Sequence, residues 1–244
     1  MNINGNKVIG IIQARMGSTR FPGKMSADLG GYPIIDWVIR RSKRSQLVHK
    51  LVLATSTLSE NDYLVERAKK YSITSYQGSE NNVLSRFVQV AKKENAGVIV
   101  RICADNPFIC GNEIDRIVKL FLTKKPDYAF NHIPGMGNNY VDGIGAEVFS
   151  LKTLTKIADN AIGAAHLEHV TKFLWDHSTD FTIETIRAPV GLNHTEISLD
   201  IDTSEDLEYI DNHLSNIREK EIIPELFNVK ILLNNIKINK GNNE

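Results

Sequence analysis

The sequence has no excess of charge of either sign and only two cysteines. In 244 residues, 29 Lys and Arg residues balance 29 Asp and Glu residues. This balance argues against a nucleic-acid-binding protein and against an acidic disordered tail, so any anionic ligand must be bound by locally placed cations. Cys103 and Cys110 are not spaced like a redox motif. We therefore expect reduced, buried thiols and a cytoplasmic protein.

Long apolar runs are also missing. No segment reaches the roughly 18 apolar residues that span a bilayer, and MNINGNKVIGIIQ at the N-terminus does not resemble a signal peptide. The sequence contains no internal repeat and no segment with the composition of a linker. We expect no membrane partner and a single domain over residues 1–244.

Apolar, β-rich runs alternate with segments of helical period. The pattern predicts strands at 8–13, 51–55, 97–103, 180–187 and 197–201, and helices from Pro33, at 64–71, 83–91, 114–121 and 222–238. Alternation of this kind is typical of an α/β fold with a sheet covered on both faces. Thr203 and Asp206 predict a capping box after the last strand, and the final GNNE is expected to fray.

The strongest functional signal is the loop that follows the first predicted strand, with sequence QARMGSTRFPGK at 13–24. Gly17 and Ser18 allow backbone N–H groups to approach phosphate oxygens, and Arg15, Arg20 and Lys24 can neutralise a triphosphate. The spacing is neither that of a P-loop nor that of a dinucleotide-binding fold. A solvated basic loop is the alternative, but ligands bind at the carboxyl ends of parallel strands, which favours the phosphate interpretation.

Two acids are predicted at strand ends. Asp105 follows the strand 97–103, and Asp202 follows 197–201, with Asp200 on the same side of that strand. Each acid also has an interpretation that needs no ligand. Asp105 precedes Asn-Pro, where an aspartate often only forms a turn. Asp202 lies just before a predicted helix, where a carboxylate complements the helix dipole. Together with the cationic loop, Asp105 and Asp202 predict a site for a nucleotide and a hard cation.

The run IIQARMGSTRFPGK resembles the opening of the cytidylyltransferases that activate acidic sugars, the acylneuraminate and 3-deoxy-manno-octulosonate group. It is most similar to the branch typified by spore-coat polysaccharide biosynthesis protein F. The resemblance continues through LVLATS, QGSENNVLSRF, VIVRICADNPFI, VDGIGAEVF, LEHVT and LDIDTSEDL, over about residues 7–212. It implies a single-domain, Rossmann-like mixed sheet flanked by helices, the glycosyltransferase A-like fold, and a homodimer. We expect a nucleotide-binding half at about 7–125, an acceptor-binding half at 126–215 and a helical tail at 216–244.

The resemblance also implies the roles of individual residues. The expected catalytic groups are Arg15, Lys24, Asp105 and Asp202, of which the two acids hold Mg²⁺. The expected CTP contacts are Gln13, Ala14, Arg15, Gly17, Ser18, Thr19, Lys24, Gly78, Ser79, Arg86 and Asp105. The expected acceptor contacts are Asp142, Glu147 and His169.

The chain departs from the family pattern at two places. The family's Gly-Asp-Cys-Pro is Ala104-Asp105-Asn106-Pro107 here, which keeps the acid. The family's Asp-Gly-Leu-Asp is Asp142-Gly143-Ile144-Gly145, so the second acid of the acceptor region is missing.

Other features have structural interpretations. His166 and His169 lie three residues apart, but no further ligand is near in sequence, so zinc is not expected. The basic run at 40–44 reads as a solvated helix end. Trp37, Phe173 and Trp175 fit core stripes.

The predicted reaction is transfer of CMP from CTP to a sugar acid or a related phosphorylated metabolite, with release of pyrophosphate, for a surface polysaccharide. Two alternatives are a glycosyltransferase with a nucleotide-sugar donor and a catalytically silent nucleotide-binding subunit. The three cations of the loop favour a triphosphate over the former. The four expected catalytic groups argue against the latter, although the missing acid at Gly145 leaves it open.

Overall fold

The structure is a computed structural model that describes residues 7–217 and 222–241. Its strands are β1 (Val8–Gln13), β2 (Asp28–Leu29), β3 (Tyr32–Pro33), β4 (Lys50–Ser56), β5 (Thr74–Gly78), β6 (Val98–Cys103), β7 (Tyr128–Phe130), β8 (Glu147–Ser150) and β9 (Ile183–Thr185). Its helices are α1 (Ile34–Ser42), α2 (Asp62–Lys70), α3 (Val83–Lys93), α4 (Gly111–Lys124), α5 (Leu151–Asn160), α6 (Gly163–Glu168), α7 (Lys172–Asp176), α8 (Ser204–Asn216) and α9 (Val229–Gly241).

The central sheet is mixed, with strand order β5-β4-β1-β6-β8-β7-β9. Strands β5, β4, β1 and β6 are parallel neighbours, whereas β8 runs antiparallel to both β6 and β7. The purely parallel pattern of the first half of the sequence therefore ends at β6. The predicted α/β fold with a mixed sheet is confirmed.

Successive residues of the central strands enter different cores. Val8 and Ile12 of β1 pack in the core beneath α1, α2, α4, α8 and α9, whereas Ile9 and Ile11 pack beneath α3, α5 and α7. This follows from the two-residue period of a strand, which points alternate side chains to opposite faces. Helices on both faces explain why β1 and β6 are almost uninterrupted apolar runs.

The register between β1 and β6 places two functional loops side by side. Gln13 is the register partner of Cys103, so the chain segments containing Arg15 and Asp105 leave adjacent strands at the same edge. A third segment joins them, because the N–H of Ile201 donates to the carbonyl of Asp105 over 2.9 Å. The predicted loop and the two predicted acids therefore meet at the carboxyl edge of the sheet.

The segment 197–201 does not form the predicted strand. It makes one isolated parallel bridge, between Asp142 and Ser198, and its N–H groups donate to carbonyls of loops, since Leu199 bonds Asp142. The capping box that follows is present. The Thr203 hydroxyl accepts from the N–H of Asp206, whose carboxylate accepts from the N–H of Thr203.

Other predicted boundaries shift. Pro33 caps α1 rather than opening it, and the predicted strand 180–187 is reduced to Ile183–Thr185. The predicted tail helix 222–238 begins only at Val229, after a turn around Pro224. The last three residues of GNNE lie outside the described residues.

Arg41 contradicts the interpretation of 40–44 as a solvated helix end. Its side chain is 5 % exposed. Nε donates to the carbonyl of Ile109, and Nη1 donates to the carbonyls of Pro224 and Phe227 at 2.7 and 2.9 Å. Arg41 is thus a buried connector between α1, the loop before α4 and the C-terminal segment.

Of the two tryptophans that were predicted to lie in the core, only Trp37 is buried there. Trp37 is fully buried, as expected, whereas Trp175 is at the surface and packs its edge on Tyr128 and Phe130. Within residues 7–217 and 222–241, no helix has both the length and the apolar character required to cross a membrane.

Candidate active site

A cavity of about 380 Å³ opens at the carboxyl edge of the sheet, between the β1 loop, α3, the ADNP turn and α6. The predicted nucleotide contacts that line it are Gln13, Ala14, Arg15, Ser18, Thr19, Lys24, Arg86 and Asp105. Asp202 and His169 line it as well. Residues from five separate parts of the chain therefore converge on one cavity.

The β1 loop is fixed by hydrogen bonds at both ends. The N–H of Met16 donates to the buried Asn61 side chain over 2.8 Å, and the N–H of Gly23 donates to the carbonyl of Met16 over 3.2 Å. Gly23 has φ of 74°, a left-handed conformation that glycine adopts without steric cost. This turn starts the short helical segment at Lys24 and buries that side chain against the cavity floor.

Asp202 lies between two cations of this loop. Lys24 Nζ is 3.2 Å from Asp202 Oδ1, and Arg20 Nη2 is 2.8 Å from Asp202 Oδ2. Lys24 is 9 % exposed at its side chain, whereas Arg20 is 65 % exposed. The Lys24 contact is the less screened of the two and therefore the stronger electrostatically.

Arg15 is placed between two acids at the mouth of the cavity. Its Nη2 lies 3.0 Å from Glu168 Oε1, at the end of α6, and its Nη1 lies 3.6 Å from Glu80 Oε1. Because α6 buries none of its side chains, the contact with Arg15 ties this exposed helix to the β1 loop.

Arg86 is the least satisfied cation of the site. It is 1 % exposed, and its buried Nε and Nη1 have no hydrogen-bond partner among residues 7–217 and 222–241. Burial lowers the pKa of Arg86, although Glu80 partly opposes the shift. A buried guanidinium with free donors is costly unless an anion or an acceptor group binds it. An anionic ligand in this cavity would therefore stabilise the Arg86 guanidinium.

Four carboxylates lie close enough together to affect one another's pKa values: those of Asp105, Asp142, Asp200 and Asp202. Burial raises the pKa of Asp105, the neighbouring Lys24 lowers it, and the charges of Asp202 and Asp200 raise it again. Burial and Asp200 raise the pKa of Asp142 to about 6. A hard dication would relieve this repulsion, and the oxygen donors of Asp105 and Asp202 have the chemistry that Mg²⁺ prefers.

The described residues include no group of three or more His, Cys, Asp or Glu side chains arranged to hold a metal ion. Mg²⁺ is commonly bound by one or two carboxylates together with the phosphates of a substrate, and the carboxylates of Asp105 and Asp202 line the same cavity. The residues present therefore fit a nucleotide-bound magnesium ion.

A sequence profile described as cytidylyltransferase matches residues 9–238. The chain belongs to the cytidylyltransferase family. It is 33 % identical over 210 residues to the spore coat polysaccharide biosynthesis protein SpsF of Bacillus subtilis, covering 84 % of this chain and 85 % of that protein. It is 32 % identical over 116 residues to the 3-deoxy-manno-octulosonate cytidylyltransferase of Bdellovibrio bacteriovorus, covering 48 % of this chain and 46 % of that protein.

The structure is similar to that of a cytidylyltransferase from Leptospira borgpetersenii, with a TM-score of 0.83 and 28 % identity, over 97 % of this chain and 95 % of the other. The resemblance and fold predicted from the sequence are confirmed. The protein is a nucleotidyltransferase that uses CTP.

Three expected CTP contacts of this cytidylyltransferase do not line the cavity: Gly17, Gly78 and Ser79. Gly78 instead gives space to Arg86, because a Cβ there would lie 3.0 Å from Arg86 Cγ. The Ser79 hydroxyl accepts from the N–H of Asn82, whose side chain caps α3. Gly78 and Ser79 thus act on the position of Arg86 rather than on the cavity surface.

Of the three expected acceptor contacts, only His169 lines the cavity. Asp142 does not line the cavity but lies near the carboxylates of Asp200 and Asp105. Glu147 is 1 % exposed behind the cavity, where its carboxylate is bonded by Arg101, Tyr128 and Thr171. Glu147 is therefore shielded from the cavity by its burial and does not line it.

Sequence reasoning missed Arg101, Cys103 and Glu168, which all line the cavity. The signal for Arg101 was present, since it is the one charged residue in the apolar run VIVRIC. Burial raises the pKa of the Cys103 thiol to about 12, so this thiol is protonated and weakly nucleophilic.

Gly145 has no room for the acid of the family pattern. A Cβ at this position would lie 2.1 Å from the carbonyl oxygen of Asn131. The chain packs closely here because Asn131 and Ala146 exchange hydrogen bonds, N–H to carbonyl and N–H to side chain. The backbone packing of this cytidylyltransferase therefore excludes an acidic side chain at position 145.

Proposed function

We propose that this enzyme transfers CMP from CTP to an acidic sugar or a related phosphorylated metabolite, in a Mg²⁺-dependent reaction that releases pyrophosphate. The observation that carries the proposal is that one cavity is lined by three cations and by two carboxylates. The cations are Arg15, Lys24 and Arg86, and the carboxylates are those of Asp105 and Asp202.

The three cations that line the cavity suit a triphosphate. Arg15 and Lys24 come from a loop whose backbone is fixed by Asn61 and Gly23, so they are positioned before a ligand arrives. Preorganised cations stabilise the charge that develops on transferring and leaving phosphate oxygens. In this proposal Arg15 and Lys24 bind the phosphates, and the guanidinium of Arg86, which lines the same cavity, binds the nucleotide.

Asp105 and Asp202 would hold Mg²⁺. When bound, the ion offsets negative charge on the phosphates and orients them. Lys24 contacts Asp202 over 3.2 Å, so the phosphate-binding group and the metal-binding group are held at adjacent positions. Ser18 and Thr19 from the same loop also line this part of the cavity and complete the proposed phosphate site.

The acceptor would enter beside His169, Asp105 and Asp202. A phosphate oxygen of the acceptor, or a hydroxyl oxygen that has lost its proton to water, attacks the α-phosphorus of CTP and forms the new P–O bond. The bond from that phosphorus to the oxygen bridging the α- and β-phosphates breaks, and pyrophosphate leaves. No covalent enzyme intermediate is required, because positioning and electrostatic stabilisation suffice for this type of transfer.

The acceptor class and biological role rest on the relatives. One relative is named for 3-deoxy-manno-octulosonate and another for spore coat polysaccharide. We propose an acidic or phosphorylated acceptor that supplies a surface polysaccharide, and a homodimer acting in the cytoplasm. Sedimentation velocity of the purified chain tests the dimer, since a monomer at micromolar concentration would contradict it.

The decisive experiment measures pyrophosphate release from each of the four ribonucleoside triphosphates with Mg²⁺, against sugar acids, sugar phosphates and polyol phosphates. We expect release only with CTP and with one anionic acceptor. The reaction should stop with EDTA and return with added Mg²⁺. Turnover with a neutral acceptor alone would contradict the proposed acceptor class, and CTP binding without turnover by any compound would favour a silent subunit.

A further inference from the structure

Behind the cavity lies a buried network centred on Glu147, the first residue of β8. Its Oε1 accepts from the Tyr128 hydroxyl over 2.6 Å and from the Thr171 hydroxyl over 2.8 Å, while its Oε2 binds Arg101 Nη1. Burial opposes the charge, but Arg101 lowers the pKa of Glu147 to about 2. Glu147 is therefore an ionised carboxylate whose hydrogen-bonding capacity is used within the protein.

Arg101 connects this network to the cavity. It is the register partner of Glu147 across the antiparallel β6 and β8 pair, so both side chains lie on the same face of the sheet. Its Nε donates to Gln13 Oε1 over 3.1 Å. Among the described residues no hydrogen bond is made by its Nη2, and the side chain reaches the cavity surface.

The position of Arg101 separates it from the phosphate-binding cations. Those cations lie on the β1 loop and on α3, whereas Arg101 lies on β6, facing β8. Thr171, which binds the same Glu147, lies two residues after His169 on the segment that lines the cavity mouth. The network thus spans the wall where an acceptor would lie.

We propose that Arg101 binds the anionic group of the acceptor, and that Glu147 is a positioning residue that fixes the Arg101 guanidinium. This proposal rests on the proposed function and adds a residue to it. A planar guanidinium held on two sides presents its remaining donors in a fixed direction, which suits a carboxylate or a phosphate. A carboxylate would come from a sugar acid, and a phosphate from a phosphorylated alcohol.

If the Arg101–Glu147 ion pair served only the stability of the fold, it would not have to lie beside the cavity or to contact Gln13. Buried ion pairs give little net stability compared with apolar residues of similar size, and so are weak evidence of a stabilising role. Here the pair is placed at the wall of the functional cavity, with Gln13, the first residue of the phosphate loop, as the third partner. Positioning of a ligand-binding group explains this placement.

The test compares Glu147→Gln with Glu113→Gln. Glu113 is a matched control, because it is also buried and also binds one arginine, Arg116, and one tyrosine, Tyr140, away from the cavity. Pyrophosphate release is measured with Mg²⁺, CTP and 3-deoxy-manno-octulosonate, N-acetylneuraminate or glycerol 3-phosphate. The acceptor that wild type uses identifies the source of the anion.

We expect Glu147→Gln to raise the acceptor KM by about 10-fold and to leave the KM for CTP within about twofold. Glu113→Gln should leave both values unchanged. A role limited to stability would lower the melting temperature and the active fraction in both variants, without this KM split.

Arg101→Gln alone would leave the Glu147 carboxylate buried and unpaired, so the second variant is the double substitution Arg101→Gln with Glu147→Gln. We expect kcat/KM for the acceptor to fall about 100-fold, while calorimetry shows unchanged CTP binding. An unchanged acceptor KM, or weaker CTP binding with a normal acceptor KM, would overturn the proposal while the proposed function stands. Wild type that uses none of the three anionic acceptors would contradict both.

Discussion

Lys24 and Asp202 are 178 positions apart in the sequence, and their side chains meet, with Lys24 Nζ 3.2 Å from Asp202 Oδ1. In the proposed function Lys24 binds a phosphate group of CTP, whereas Asp202 binds Mg²⁺. Binding of magnesium and CTP would then exchange this contact for contacts to the ligands. The exchange lets each group keep an oppositely charged partner.

Asp202→Asn should lower kcat roughly 100-fold or more, because a preorganised charge at the reacting phosphates is lost. The melting temperature should change by no more than about 2 °C, because relief of the repulsion between Asp202 and Asp105 offsets loss of the ion pairs with Lys24 and Arg20. Glu94→Gln is the control, because Glu94, like Asp202, binds two cationic side chains, here those of Lys7 and Lys50, but lies outside the cavity. Turnover of Asp202→Asn equal to that of the control would remove Asp202 from the site.

Arg86→Met should stabilise the protein and weaken CTP binding at the same time. The substitution removes a buried guanidinium whose Nε and Nη1 have no partner in the described part of the chain, so the melting temperature should rise by a few degrees. The dissociation constant of CTP should increase more than about 10-fold. Both are measured by thermal melts and calorimetry.

Arg41→Met is the matched comparison, and it should have the opposite effect on stability. Arg41 is equally buried, but its donors are bonded to the carbonyls of Ile109, Pro224 and Phe227. Loss of these bonds should cost about 3 kcal/mol. If both variants were destabilised to the same degree, the unpaired state of Arg86 would be contradicted.

Asp142→Asn should change how stability depends on pH. Burial and Asp200 raise the pKa of Asp142 to about 6, so the folded protein binds this proton more tightly than the unfolded chain does. The stabilising contribution of the proton is complete below about pH 4 and is lost as the pH rises through about 6.

The melting temperature of Asp142→Asn should therefore match wild type near pH 4 and exceed it above pH 6. Melts from pH 4 to pH 8 test this, with Mg²⁺ omitted so that only the protons differ. A difference that is constant over this range would show that Asp142 has an ordinary pKa.

Gly145→Asp, which restores the acid of the family pattern, should destabilise the protein rather than restore a function. Its Cβ would lie 2.1 Å from the Asn131 carbonyl oxygen, and relief of this overlap should cost about 3 kcal/mol. Gly135→Ala is the control, because its Cβ would meet the Phe130 ring at an ordinary 3.4 Å. Urea unfolding of both variants measures the difference.

The sequence was informative where local patterns determine structure. The apolar runs of β1 and β6, the loop from Gln13 to Lys24 and the capping box at Thr203 all follow from neighbouring residues. Strand ends then placed Asp105 and the β1 loop at one edge, since parallel strands share the same carboxyl edge.

The remaining features depend on contacts between distant residues. Insertion of β8 between β6 and β7 pairs Arg101 with Glu147, which is 46 residues away, and no local pattern indicates this pairing. The same insertion turned an expected acceptor contact at Glu147 into a buried partner of Arg101. The segment 197–201 looked like a strand because it is apolar at alternate positions, yet it hydrogen-bonds loops.

Arg41 has a consequence for the order in which the protein can assemble during synthesis. Two of its three carbonyl partners, those of Pro224 and Phe227, lie 183 and 186 positions later in the chain. Domains fold as units while the N-terminal part emerges first. When the segment up to Ile109 leaves the ribosome, Arg41 can form only one of its three hydrogen bonds. The other two form only after Pro224 and Phe227 have been synthesised.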